Sequence, residues 1–534
     1  MRFCVLLLSL FLSLITSISP ADDHHHSIGM GKVGTVVFPV SCSPAAMKAF
    51  PHAVAVLHSF AYEEALGEFT AIANQDPQCA MAYWGQAMTW WRPLWYLPDA
   101  KALQAGSDAM AKAVARVPKS EREQGFIAAL SDFYTGVAER DHRTRAMAYR
   151  AHMEKLFARF PRDQEVGAFY ALALLGTALP TDKTYADQRK AAAILEKIFT
   201  AQPDHPGAAH YIIHSFDSPE LAPEALNVAR AYAKIAPAMP HALHMPSHIF
   251  IRLGLWDDAI ASNADSRNAA HNFAEMTKMQ SAWDQELHAM DYLMYAYMQE
   301  GRDSEAEGVL NAVLAMKQVQ PTGVSFYAQA AIPARFAVER GQWSRAAELE
   351  EASPSPETKA ITHWARALGA AHVGHREQAY AEIAKLEAIR DALKNKPGYD
   401  WSTQVEIQRR EAAAWLAHTE GKDEEAMSLM RSAVQLEEST DKHPVTPGPI
   451  LPARDLLADL LVDSQHPERA LQEYEASLKL APHRLHALNG AAHSAQLGGK
   501  RDLARTYYTE LLANCAKADA RDEVKQAKTF LAEK

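Results

Sequence analysis

The sequence predicts an all-α solenoid of stacked antiparallel helix pairs, and three observations carry that prediction. Short segments sharing one pattern of small, apolar and proline positions recur along the chain, and several are offset by 34 residues. Glycine-containing turns of one kind separate many of the helical stretches. Apart from short pieces such as "VGTVVFPV", almost nothing alternates with the period of a strand.

The elements follow in order from the N-terminus. The chain has 534 residues, 48% of them apolar, enough to bury a core along a long array. It starts Met1-Arg2, runs apolar from Phe3 to Ile18 and reaches Ser19-Pro20-Ala21. A positive start, an apolar run too short for a stable span and a small-x-Ala site predict a signal peptide over 1–21, and hence an exported chain. No later stretch is long and apolar enough to predict stable membrane insertion. Removing 1–21 takes away Arg2 alone among the charged residues, so the formal charge of −11 becomes −12. An acidic chain without basic clusters excludes nucleic acid and anionic membrane as expected partners. Of the three remaining cysteines, Cys42 and Cys79 could close a loop of nearly forty residues, stabilising by about 3–4 kcal/mol in an oxidising compartment. That would leave Cys515 unpaired; three buried thiols are the other reading.

The repeats themselves are explicit. "YEEALGEFTAIANQDP" gives Ala65, Phe69 and Pro77; "RKAAAILEKIFTAQP" gives Ala191, Leu195 and Pro203. "APEALNVARAYAKIAP" gives Ala225 and Pro237; "HPERALQEYEASLKLAP" gives Ala470, Tyr474 and Pro482. Ala191, Ala225 and Ala259 are spaced by 34, as are Pro203 and Pro237, and Ala470 and Ala504. Small residues let paired helices approach, aromatics fill the space between repeats, and proline ends the second helix. "LMYAYMQEGRDSEA", "RFAVERGQWSRAAE", "GAAHVGHREQAY" and "AWLAHTEGKDEEAM" keep the turn without the strict period. The stretches 90–99 and 439–452 interrupt the array, and 518–534 reads as a capping helix. The expected divisions after the signal peptide are a lead-in at 22–45, arrays at 46–273 and 274–438, and a C-terminal part at 439–534.

"CAMAYWGQAM", "HALHMPSHIFIRLGLWDDAIASN", "DYLMYAYMQEGR" and "HPVTPGPILPARDLLADLL" together resemble a group of exported bacterial tetratricopeptide-repeat proteins of no established activity. The resemblance covers about residues 38–515. The 34-residue unit is the period of that repeat. The resemblance implies a right-handed superhelix, periplasmic or extracellular, whose first helices face a concave groove; such arrays bind peptides or proteins.

The histidines fall into the repeat register. With repeats set at 206–239 and 240–273, His210 and His244 share position 5, and His214 and His248 share position 9. His241 takes position 2 and Asp217 position 12. Aligning Gly254 with Gly301 places His288 at position 2, Asp291 at position 5 and Tyr295 at position 9. Residues four apart share a helix face, and neighbouring first helices stack about 8–10 Å apart. One patch is therefore expected from three helices. Imidazoles with a carboxylate suit one divalent transition metal, zinc, copper, nickel or iron. Asp217 and Asp291 are the candidate bases or supporting carboxylates of a hydrolytic version. Pro246, between His244 and His248, predicts a kink that weakens the same-face argument there.

Further features carry paired readings. Cleavage after Ala21 would expose Asp22-Asp23-His24, a square-planar Cu(II) or Ni(II) chelate or simply a histidine-bearing tail. In "YWGQAMTWWRPLW", Trp84 and Trp91 read as core or, with Tyr295, as groove aromatics. The proline-stiffened loop holding His443 and leading to Arg454 could lie over the groove or cap the array. Phosphate loops, nucleophile elbows, HExxH and CxxC are all absent. The fold favours a scaffold binding a peptide or protein through its concave face. The alternative is a metal-binding protein or metal-dependent hydrolase, and the residues leave open whether the chain is an enzyme.

Overall fold

Glycine turns close many of the helix pairs. Gly254, Gly301, Gly341, Gly374, Gly421 and Gly499 hold φ between 61° and 80°, the left-handed region that a side chain disfavours. Across each turn the second helix presents a buried alanine to the first: Ala191, Ala225, Ala259, Ala470 and Ala504 are all fully buried. The 34-residue spacing is thus the spacing of close helix–helix contacts. This computed structural model describes residues 31–94, 96–116 and 118–533; the expected signal peptide and Asp22, Asp23 and His24 lie outside the described residues.

Twenty-six helices run from Pro44–His58 to Asp522–Ala532, with no strand among the described residues. They form antiparallel pairs, for example Pro206–Ser215 with Ala222–Ile235 and Leu485–Leu497 with Arg501–Asn514. The molecule is an α-solenoid of the tetratricopeptide-repeat type. No described helix is long and apolar enough to cross a membrane. One buried core runs from Val33 to Phe336 and takes in Val445 of the 439–452 loop, and a second runs from Ala330 to Phe530. The Cys42–Cys79 disulfide forms, with Cα atoms 4.9 Å apart, and Cys515 is a buried free thiol.

The array bends back on itself. Trp256 Nε1 donates to the His483 carbonyl at 3.0 Å, Asn514 Nδ2 to the Gln299 carbonyl at 2.7 Å, and Arg521 pairs with Asp303 at 2.6 Å. These contacts tie the C-terminal repeats to the middle ones. The 439–452 loop then crosses the concave side. Lys442 reaches Asp217 at 2.8 Å, Lys183 reaches Asp441 at 2.6 Å, and Tyr292 donates to the Thr446 carbonyl at 3.1 Å. Buried Arg335 holds the Gly448, Pro449 and Ile450 carbonyls at 3.1–3.3 Å. Of the two readings of this loop, the structure takes the first: it lies over the groove.

Two groove assignments are corrected. Trp84 is fully buried against Phe38, Phe126 and Phe169, and Trp91 is stacked on Phe133 at 4.0 Å. Both are core, because the repeats preceding the histidine helices pack those faces on neighbouring helices. Tyr295 lines a partly open cavity of about 410 Å³ beside the 439–452 loop, and Arg335 stands 4.5 Å over its ring.

Candidate metal centre

Three first helices build the site. Pro206–Ser215 carries His210 and His214, the Pro240–His244 and Pro246–Arg252 segments carry His241, His244 and His248, and Asp284–Gln299 carries His288. The kink expected at Pro246 is slight. Met245 stays right-handed helical, at φ −53° and ψ −35°, so the two segments continue one axis and His244 and His248 share a face.

The six imidazoles form two triads. In each, His210 with His214 and His241, or His244 with His248 and His288, one ring nitrogen per residue lies within 4.8 Å of the others. His210 Nε2 stands 3.2 Å from His241 Nε2, and His244 Nε2 stands 3.0 Å from His248 Nε2. Rings meet across the triads as well, with His214 and His248 centroids 5.8 Å apart and those of His241 and His244 5.9 Å.

The outer nitrogens are already committed. His210 Nδ1 lies 2.6 Å from the His58 carbonyl, and His248 Nδ1 lies 2.9 Å from the Asp217 carboxylate. His244 Nδ1 lies 2.6 Å from Asn263 Oδ1, and Asn263 Nδ2 donates to the Ala259 carbonyl at 2.8 Å, which fixes that amide's orientation. Each of these partners accepts, so each Nδ1 carries the proton and each Nε2 presents a lone pair. This is the supporting pattern found behind metal-bound histidines.

The consequence is sharpest at His244 and His248. Two neutral rings, both protonated on Nδ1, direct lone pairs at each other across 3.0 Å. Protonation would relieve the repulsion, but burial opposes it. His244 is held well below the ordinary range by burial and by the His288 and His248 rings. His248 is lowered by burial despite Asp217, His210 is pushed down to about 3 chiefly by burial, and His214, His241 and His288 lie well below the ordinary range for the same reason. The Tyr292 hydroxyl stands 3.3 Å from His248 Nε2 but donates to the Thr446 carbonyl, and two lone pairs facing each other at this spacing are an arrangement that a metal cation can bridge.

The two carboxylates differ in role. Asp217 orients His248 while paired to Arg252 at 2.9 Å and Lys442 at 2.8 Å. Burial pushes its carboxyl up, but Lys442 and Arg252 outweigh burial and hold it well below the usual range, a poor setting for a base. Asp291 belongs to neither triad, which corrects its place in the expected ligand set. Three residues beyond His288 on the same helix, it lies closer in charge to Arg335, and burial pushes it up to about 6.

Sequence reasoning missed several residues. Asn263 sits on the paired second helix, where register gives no signal. Tyr292 stands edge-on to His244 at 4.5 Å. Lys442 comes from the groove-crossing loop, whereas His443 is stacked against Trp401 at 5.2 Å and Arg454 pairs with Glu438 and Glu473. Behind His210 lies a buried bridge in which Glu165 joins His58 Nε2 at 2.8 Å and His205 Nε2 at 2.9 Å. Gly207 makes room for it, since a Cβ there would lie 2.5 Å from His58 Nδ1.

No protein-family model matches the chain, and no curated protein matches it. Among solved structures, it is similar to human IFIT1 in a dimer with m7Gppp-AAAA, at 12% identity over 82% of this chain and 90% of that one, with a TM-score of 0.38. It is also similar to yeast Tom70, at 11% identity over 91% and 95% of the chains, with a TM-score of 0.33. Both are helical-repeat proteins.

Proposed function

We propose that this protein binds transition-metal ions in a buried histidine centre inside its repeat array. One observation carries the reading: His244 and His248 direct lone pairs at each other at 3.0 Å, with both Nδ1 atoms bound to acceptors. Three histidines per ion would leave an open position on a tetrahedral metal, the arrangement that allows a further ligand to bind. The Cys42–Cys79 bridge supports an oxidising, exported setting for the protein.

The repeat fold by itself supports a peptide or protein partner on the array. The histidine-bearing part of the concave face, however, lies under the 439–452 loop, and five of its six histidines are at most 3% exposed. A peptide would have to displace that loop to reach them, so metal binding is the stronger reading of this patch.

The test uses the exported chain with His24, His25 and His26 replaced by alanine, so that the tail cannot contribute. Metal analysis of protein purified without a tag is expected to find stoichiometric transition metal, reduced in H244A/H248A and lost when the His210, His214 and His241 triad is replaced as well. Metal-free protein whose thermal stability ignores both added metal and chelator would refute the proposal.

A further inference from the structure

We infer that the centre is a two-ion site that holds copper in the cuprous state, one ion per triad. The inference rests on the metal-binding reading and specifies its ion and number. Nitrogens around one ion at bond lengths of about 2.0–2.1 Å stand about 3.3–3.6 Å apart. The Nε2–Nε2 separations of 3.0 and 3.2 Å lie slightly inside that spacing, and they fall in different triads. Ligand nitrogens come within 4.8 Å of one another in two sets of three, His210 with His214 and His241, and His244 with His248 and His288.

Charge selects the ion. Neither triad includes a carboxylate or thiolate among the described residues. The adjoining carboxylate, Asp217, is already matched by Arg252 and Lys442. Two dications would thus place four positive charges among neutral ligands in a buried chamber. Solvation cost rises with the square of an ion's charge, so a monovalent ion loses a quarter as much on burial. Of the metals that imidazole suits, copper is the one with a stable monovalent state. A d10 cuprous ion is satisfied by three nitrogens and needs no anion to complete it, which matches the ligands available.

The measurement is an anaerobic titration of the full exported chain, with His24, His25 and His26 replaced by alanine, against a chromophoric Cu(I) chelator. Zn(II) is titrated in parallel. The chain is expected to withdraw two Cu(I) per molecule, with a three-coordinate cuprous X-ray absorption edge. H244A/H248A should hold one Cu(I), and D217N, which keeps every ligand and so guards against misfolding, should hold two with affinity weakened about 10–100-fold. Preference for Zn(II), a single copper, or a cupric electron-paramagnetic signal after anaerobic loading would overturn the cuprous pair while leaving metal binding intact. Binding of no metal would overturn both.

Discussion

At the scale of single residues, the centre is defined by what stands behind each ring. His58 contributes only its carbonyl to His210, yet its own position depends on Glu165. Burial raises the Glu165 carboxyl, but the facing His58 and His205 rings outweigh burial and hold it below its ordinary value of 4.5. A depressed folded-state value means that Glu165 adds stability above the unfolded value, and that this stability is lost as pH falls below it. E165Q should therefore cost about 3 kcal/mol at pH 7. It should also flatten the acid loss of stability seen by urea denaturation as pH falls from about 5 to about 2. An unchanged acid slope would show that the bridge is not the group responsible. The sequence made the six histidines legible, because repeat register copies His210 onto His244 and His214 onto His248. It could not show Asn263 or Glu165, whose roles depend on contacts between helices rather than on spacing along one.

At the scale of elements, alanine and proline spacing revealed the helix pairs because close packing admits only small residues at the crossing. The same spacing could not place 439–452. That loop is held by Arg335, Lys442 and Tyr292, groups from distant repeats whose pairing no local pattern encodes. Trp84 illustrates the opposite error: aromatic density marks burial before it marks a groove. If Arg335 is the clamp, R335M leaves the Gly448, Pro449 and Ile450 carbonyls without their shared donor. Amide hydrogen exchange across 439–452 should then accelerate at least tenfold, an opening cost lowered by more than about 1.4 kcal/mol. Unchanged exchange in that loop, with the helices still protected, would mean that Lys442 and Lys183 suffice to hold it.

At the scale of the molecule, the array is closed rather than open. The contacts from Trp256 to His483 and from Arg521 to Asp303 bring the C-terminal repeats onto the middle ones. Local periodicity predicts a solenoid but not whether its ends meet, since that depends on small rotations summed over many repeats. Closure buries the histidine-bearing face, and that burial holds the six imidazoles below their ordinary range. Diffraction at a metal absorption edge tests this account most directly. Anomalous peaks are expected at the histidine face, one about 2.0–2.1 Å from both His244 Nε2 and His248 Nε2. A second peak belongs at His210, His214 and His241. An anomalous map empty at both triads in metal-supplemented crystals would contradict it.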